Sequence, residues 1–396
     1  MATQRPVLIT GGGIGGLSTA IALARAGFDS NILERSTFTE ESGAGIQLGP
    51  NATRILAELG ALDAIAACAF KPEAIQMFDG LSGKVLASVP LGAQAETRYG
   101  APYLTVHRAD LHAGLHAVAE DLGQVTLTPG FDLERAEADG DGVTAICADG
   151  VTMEGGCLIG AEGLWSAVRK SIAPGAVLSF TGASAFRTLL PREALSAPFD
   201  GPNVGLWLGP RAHLVHYPVR GGDALNVVAV IESGREAQGW NQPADLGVLR
   251  AGFTRWCKQA KSLLKGGESW RAWSLFSLPP LPRWSGGPVT LLGDAAHPVL
   301  PYLAQGAGLA IEDAWCLAKC LDADHNDPAT AFGAYQTMRR ARAARLQRSA
   351  RRLGWIYHAQ GPVRLARNFV LQRSTPDSLL RQFDWLYGGD ASGGTD

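Results

Sequence analysis

Several things are missing from this chain. Its six cysteines (Cys68, Cys147, Cys157, Cys257, Cys316 and Cys320) show neither disulfide-framework nor CxxC spacing, which argues against a cystine-stapled scaffold and a thiolate zinc site. No metal is expected. No apolar run is long enough to span a bilayer. The N-terminus has no basic segment leading into an apolar signal core, so no targeting signal is read and a cytoplasmic location is expected. Neither sign of charge dominates: 35 Lys and Arg against 37 Asp and Glu leave a net charge of -2, so there is no global electrostatic case for nucleic acid or an acidic membrane. No internal repeat is visible.

One stretch departs from that balance, with Arg339, Arg340, Arg342, Arg345, Arg348, Arg351 and Arg352 close together. Helical spacing interleaves Met338, Ala341, Leu346, Ala350 and Leu353, so the expectation is an amphipathic helix with a solvated charged face rather than a phosphate footprint.

Glycine is abundant, 49 of 396 residues, and it clusters where strands give way to helices. The apolar run Val7-Leu8-Ile9-Thr10 leads into Gly11-Gly12-Gly13-Ile14-Gly15-Gly16, and Glu34 closes a second apolar run. This is the spacing of a dinucleotide site. Gly11 makes the tight turn, Gly13 lets backbone amides approach a pyrophosphate, and Gly16 lets the helix pack close to the strand. Glu34, followed by Arg35, stands where a carboxylate accepts from a ribose hydroxyl. The motif alone does not separate FAD from NAD.

A second cluster follows the strand Val289-Thr290-Leu291-Leu292, in Gly293-Asp294-Ala295-Ala296-His297-Pro298 and then Gln305-Gly306-Ala307-Gly308-Leu309. Asp294 at the end of a strand has the chemistry to bind a polyol. Amides at Gly306, Ala307 and Gly308, at the start of a helix, have the chemistry to stabilise an anion. A ribityl arm and a reduced flavin are such groups. An ordinary strand-to-helix turn with an N-capping Asp is the other reading.

With these two motifs goes a third, Gly160-Ala161-Glu162-Gly163-Leu164-Trp165-Ser166-Ala167-Val168-Arg169. In this order the three resemble the single-component (class A) FAD-dependent aromatic hydroxylases, in particular the salicylate hydroxylase, 3-hydroxybenzoate 6-hydroxylase and 6-hydroxynicotinate 3-monooxygenase group. Gly43-Ala44-Gly45-Ile46-Gln47, His107-Arg108-Ala109-Asp110-Leu111 and His213-Leu214-Val215-His216-Tyr217-Pro218 match as well, so the resemblance runs from the N-terminus to about residue 350. The middle motif departs from the family in carrying Glu162-Gly163 for Asp-Gly.

The resemblance implies an α/β fold: a Rossmann-like FAD-binding domain of glutathione-reductase type, an inserted mixed-sheet substrate domain and a C-terminal helical segment. The FAD-binding domain is expected in three pieces, 1–73, 104–179 and 284–354. A β-ribbon over 74–103 is expected to join the substrate domain over 180–283, and the C-terminal segment to cover 355–396 with a disordered tail from about 388. Within the substrate block, strands are expected over 185–190, 204–208, 213–218 and 224–231, then one amphipathic helix over 243–263. The aromatic segment Phe383-Asp384-Trp385-Leu386-Tyr387 is expected to dock on the body or on a second subunit.

Period-two alternation puts His213, Val215 and Tyr217 on one face of their strand and Leu214, His216 and Pro218 on the other. A His and a Tyr on one face of a pocket strand suit the holding and deprotonation of a phenol, and the resemblance gives His213 and Tyr217 the catalytic positions. An ordinary hydrogen-bonded sheet histidine is the other reading of His213. The FAD-binding set expected is Gly11, Gly13, Ile14, Gly15, Gly16, Glu34, Arg35, Gln47, Arg108, Asp294, Gly306, Ala307 and Gly308, with Arg108 assigned by resemblance. His297 and Pro298 are candidates for contact with substrate. Arg187, Arg211 and Arg220 are the three candidates, by position, for a substrate-carboxylate clamp.

The implied activity is FAD-dependent monooxygenation. NADH or NADPH and dioxygen would be co-substrates, and a small hydroxylated aromatic or heteroaromatic acid would be hydroxylated through a flavin hydroperoxide. A flavin oxidoreductase that inserts no oxygen, or a non-catalytic flavin-binding protein, is the alternative. No nucleic-acid or membrane partner is expected, and the protein would be a monomer or homodimer.

Overall fold

The computed structural model describes residues 5–38, 44–139, 142–236, 242–267, 269–324 and 327–389. The expected tail beyond residue 389 lies outside them.

The buried run Val7–Thr10 is the central strand of a six-stranded sheet. Cys157–Gly160 and Ser30–Glu34 flank it in parallel, followed outward by Val289–Leu291 on one side and Val125–Pro129 on the other. The short Ser285–Gly286 strand closes one edge antiparallel. Strands buried on both faces read as continuous apolar runs, as Val7–Thr10 and Cys157–Gly160 do. Helix Ile14–Arg25 packs against this sheet with Leu17, Ile21 and Leu23 buried.

The second layer is an eight-stranded sheet in the order Gln242–Pro243, Arg271–Ser277, Ser179–Pro191, Ala224–Ile231, Ala212–Val219, Val204–Gly209, Ala74–Asp79 and Val85–Pro90. Its pairings are antiparallel except that of Val204–Gly209 with Ala74–Asp79. A three-stranded meander (Leu133–Asp139, Gly142–Cys147 and Thr152–Gly155) and a two-stranded ribbon (Gly45–Leu48 with Leu104–His107) complete the sheets among the described residues.

The outer face of the large sheet buries Phe186, Leu190, Trp207, Leu214, Val227 and Ile231 under two short helices, Leu246–Gly252 and Lys258–Gly266. One continuous helix over 243–263 is therefore not what forms. The break serves Trp256, whose ring covers Gly80 and Gly209 so closely that a β-carbon on either would lie 2.3 Å from it. The amide of Cys257 bonds to the Gly80 carbonyl at 2.9 Å, which fixes the bend.

Helix Pro328–Tyr357 begins at Asp327, whose side chain caps Ala329 and Thr330. Its apolar side buries Phe332, Tyr335, Leu346 and Ala350, but the expected solvated arginine face needs correction. Arg339 is fully buried, donating to Asp313 Oδ1 at 2.7 Å and Glu312 Oε2 at 2.6 Å, and Arg342 joins it on Glu312 at 2.6 Å. The carboxylates on helix Gly306–Ala323 are buried and need these charges; burial alone would raise both pKa values, yet Arg339 and Arg342 hold Glu312, and His297 with Arg339 holds Asp313, below the ordinary carboxylate range. The C-terminal aromatic segment docks on the body: Arg342 donates to the Trp385 and Leu386 carbonyls, and Tyr387 packs on Tyr99. Among the described residues no helix is long and apolar enough to cross a membrane.

Candidate active site

The first glycine turn is built as close packing requires. Gly11 has φ +100°, and a β-carbon there would lie 2.6 Å from the Ala161 carbonyl oxygen. Gly15 lies against Leu292, which ties this turn to the strand that delivers Asp294. Gly13, by contrast, faces open space, and helix Ile14–Arg25 starts there without a side-chain cap. Its first amides are thus left for an anion. Glu34 accepts from the Gly12 amide at 2.6 Å and the Ser36 amide at 2.8 Å, and each carboxylate oxygen keeps a second lone pair for another donor. Arg35 beside it is exposed. His112 holds the Gly12 carbonyl at 2.8 Å, a contact that no sequence pattern indicated.

The second cluster lies at the other end of the same recess. Asp294 and Arg108 are both open to solvent yet enclosed by protein. Burial pushes the Asp294 carboxyl up and the Arg108 guanidinium down, and each partly offsets the other's shift. Arg169 reaches from the middle motif to the Ala295 carbonyl at 3.0 Å and fastens that loop. Helix Gly306–Ala323 begins at Gln305 without a side-chain cap, and Gly306 faces open space. Glu162 turns inward: it accepts from Ser166 Oγ at 2.7 Å and the Val168 amide at 3.1 Å, so its extra methylene serves the start of the next helix. Two uncapped helix starts, an acceptor at Glu34 and an Asp–Arg pair along one recess fit a long anionic dinucleotide with a polyol arm.

The inner face of the large sheet roofs this recess. Register places His213 beside Val230 and Leu208, Val215 beside Val228 and Leu206, and Tyr217 beside Asn226 and Val204. One strand further, Ala185 and Arg187 continue the rows. On these four strands the face is therefore apolar except for His213, Tyr217, Asn226 and Arg187. Asn226 is turned away to accept from the Gly45 amide at 2.8 Å. Gly45 passes so close to Tyr217 that a β-carbon would lie 2.5 Å from its ring. Gln47 accepts from Tyr103 at 2.7 Å and also bonds Tyr217, joining the two tyrosines.

Arg187 stacks on Trp273 at 4.7 Å, and its buried Nε has no hydrogen-bond partner among the described residues. Burial lowers its pKa, with Tyr217 opposing. Of the other two arginines considered for a carboxylate, Arg211 lies exposed against Glu232 and Arg220 lies exposed near Asp110.

His213 is 2% exposed and its Nδ1 bonds His358 Nε2 at 2.8 Å. Tyr302 and Tyr357 flank it at 5.4 and 5.5 Å. No described residue bonds to its Nε2. His216, on the other face, packs edge-on to Phe199, and burial lowers its pKa to about 3. His297 and Pro298 do not join the His213 cluster. His297 is buried with Nε2 2.5 Å from Asp313 Oδ2 and its ring on Trp284 at 4.8 Å, while the Pro298 carbonyl accepts from Gln347 at 3.1 Å. Sequence reasoning missed His358, Glu232, Tyr302 and Tyr357; His358 caps a helix 145 residues from His213 and belongs to no motif.

A dinucleotide-binding α/β layer whose recess is roofed by a mixed sheet carrying a buried His and Tyr defines a flavoprotein oxidoreductase. The comparisons narrow the class: a family model described as an FAD binding domain matches residues 4–350, and the chain belongs to that family, the FAD-binding class A monooxygenases. It is a flavoprotein aromatic hydroxylase. It is 38% identical to a 3-hydroxybenzoate 6-hydroxylase of Polaromonas naphthalenivorans (strain CJ2), over 97% of this chain and 96% of that one. It is also 38% identical to the 3-amino-4-hydroxybenzoate 2-monooxygenase PtnB3 of Streptomyces platensis, over 99% and 98%. The crystal structure of Klebsiella pneumoniae HpxO complexed with FAD and uric acid superposes with a TM-score of 0.87 at 26% identity, covering 98% of this chain and 97% of HpxO.

Proposed function

We propose that this hydroxylase acts on a small phenolic carboxylic acid of hydroxybenzoate type, with NADH or NADPH as reductant. The observation that carries the reading is the composition of the sheet's inner face. Across these apolar rows, His213 Nε2, the Tyr217 hydroxyl and the guanidinium of Arg187, whose Nε has no hydrogen-bond partner among the described residues, are the polar groups offered to a ligand. An acceptor for a phenol proton, a hydrogen-bonding hydroxyl and a cation match a ring bearing a hydroxyl and a carboxylate. Two relatives named for hydroxybenzoates support the same class.

Gly11 to Gly16 and Glu34 would hold the adenosine diphosphate half of FAD, and Asp294, Arg108 and the amides at Gly306 to Gly308 its ribityl and ring end. Bound and reduced, FAD supplies the activation of dioxygen. The chain supplies the rest. Arg187 takes the carboxylate and so fixes which ring carbon faces the flavin. The apolar roof excludes water. Tyr217, held by Gln47, hydrogen-bonds the ring hydroxyl, and His213 removes its proton to give the electron-rich phenolate.

The test is a panel of monohydroxylated benzoates and their methyl esters. Substrate-stimulated NADH or NADPH oxidation with the acids but not the esters, and one labelled oxygen atom from ¹⁸O₂ in the product, are expected. Stimulation without label in any product, or equal use of acids and esters, would overturn the reading.

A further inference from the structure

We propose that His358 and Glu232 form with His213 a proton relay, which sets the tautomer of the base and carries the phenol proton from the pocket to the surface. The proposal rests on the reading of His213 as the base. Three distant segments meet to build it. His213 lies within strand Ala212–Val219, Glu232 follows strand Ala224–Ile231, and His358 caps helix Pro328–Tyr357. Arg211 fastens the junction, its amide donating to the His358 carbonyl at 3.1 Å and its carbonyl accepting from the Glu232 amide at 2.9 Å.

The hydrogen bonds have a direction. The Glu232 carboxylate only accepts, so His358 Nδ1, 2.7 Å away, must donate to it. In the neutral ring His358 Nε2 then carries a lone pair and accepts from His213 Nδ1 at 2.8 Å. His213 Nε2, to which no described residue bonds, is left without a proton. The carboxylate at the outer end thus selects the basic tautomer at the inner end, two rings away.

The same chain answers a difficulty with His213 acting alone. Burial, reinforced by His358, holds the His213 pKa well below the usual histidine value, so an imidazolium there would be a poor home for a proton taken from a phenol of pKa near 10. With the relay His213 need not stay charged. The phenol proton goes to His213 Nε2 as the Nδ1 proton passes to His358 Nε2. The product is a substrate phenolate, a neutral His213 of the opposite tautomer and a His358 imidazolium paired with Glu232. Release of the Nδ1 proton through Glu232, whose side chain is 40% exposed, sends it to water. The hydrogen bond from His358 already holds Glu232 below the ordinary carboxylate range.

The groups facing the relay favour this route. Tyr302 packs on both imidazoles at 5.4 and 5.7 Å, and burial, then Glu232, raises its pKa to about 12. Burial also raises that of Tyr357. Both tyrosines therefore stay neutral, and the sheet neighbours Leu208 and Val230 are apolar. Arg211, 3.7 Å from Glu232, is the flanking cation and keeps the outer carboxylate ionised. His358 and Glu232 act through His213 and are positioning residues.

The experiment uses FAD-loaded enzyme and 3-hydroxybenzoate as probe. The phenolate band of the bound probe is followed against pH, and proton release on binding is followed with an indicator dye. Wild type should bind the phenolate at neutral pH and release about one proton per site. Glu232→Gln, which keeps shape and hydrogen bonding but not charge, should move the phenolate midpoint up by about one pH unit, a tenfold loss of ionised probe at a given pH. His358→Gln should move it further, while affinity for non-ionisable 3-methoxybenzoate stays the same in both. Wild-type midpoints and proton release in both variants, beside a shifted His213→Ala, would overturn the relay and leave the base standing. An unshifted His213→Ala would withdraw base and relay together. If His358→Gln fails to hold FAD, the half-exposed Glu232→Gln decides.

Discussion

A β-carbon on Gly16 would lie 1.9 Å from the carbonyl oxygen of Gly11, whereas one on Gly13 would meet nothing within 4 Å among the described residues beyond its own chain neighbours. Two glycines of one motif therefore do different things. Gly16 lets strand and helix touch, while Gly13 keeps clear a space that no described residue fills. Gly13→Val should fold with a near wild-type far-UV spectrum and lose FAD, and Gly16→Val should lose the fold. Flavin occupancy beside thermal unfolding checks this; full occupancy in Gly13→Val would show that the cleared space is not the cofactor's.

His213→Ala should retain FAD yet form product about 10²- to 10⁴-fold more slowly, the usual loss for a general base. Dioxygen would be reduced to peroxide without reaching the ring, so less product would form per NADH oxidised. Raising the pH should partly restore coupling because solvent then ionises the phenol. Product per NADH across pH, compared with wild type, is the measurement. Superimposable profiles would leave His213 an ordinary sheet residue.

Arg187→Met should weaken binding of acids and spare their methyl esters. A hydrogen bond to a charged group contributes about 1.5–3 kcal/mol, so KM for 3-hydroxybenzoate should rise roughly 10- to 100-fold. Arg187→Lys should recover only part of this, since a point charge does not reproduce the planar fork. An equal rise for acid and ester would mean that Arg187 packs on Trp273 and does no more.

Arg339→Met should destabilise by about 3–5 kcal/mol, because it leaves Glu312 buried without its main cation and Asp313 buried with His297 alone. The pH dependence should also change sign. In wild type these carboxyls sit below their unfolded values, so their contribution is present above the unfolded pKa and is lost as pH falls through the folded one. Without Arg339 burial dominates and their pKa values rise, so the variant should lose stability as pH climbs past the ordinary carboxylate range. Melting temperature from pH 4 to 8 checks both slopes; parallel curves would mean that Arg342 and His297 suffice.

What could be read from the sequence was what local geometry controls. Gly11, Gly13 and Gly16 are set by the turn itself, and the shared face of His213 and Tyr217 follows from the two-residue period of a strand. Contacts that depend on distant partners left no trace. Arg339 has the spacing of a helix's charged side, and only Glu312 and Asp313, brought together by folding, make it a buried ion. The break before Lys258–Gly266 depends on where Gly80 and Gly209 lie, not on the helical pattern around it. His297 follows Asp294 in sequence yet turns toward Asp313, because adjacency along a loop does not fix direction. His358 lies beyond every matched motif.

The two sheets take their strands alternately along the chain: Val7–Thr10 and Ser30–Glu34, then Ala74–Asp79 and Val85–Pro90, then Val125–Pro129 and Cys157–Gly160, then the rest of the roof, then Val289–Leu291. No single cut separates them, since any break leaves one sheet divided between the fragments. Recombination with a relative at one crossover therefore cannot transplant an intact roof onto a foreign base. New substrate preferences are more readily reached by replacing single inward side chains, with Val215, Val228 and Leu206 the positions where such changes should accumulate.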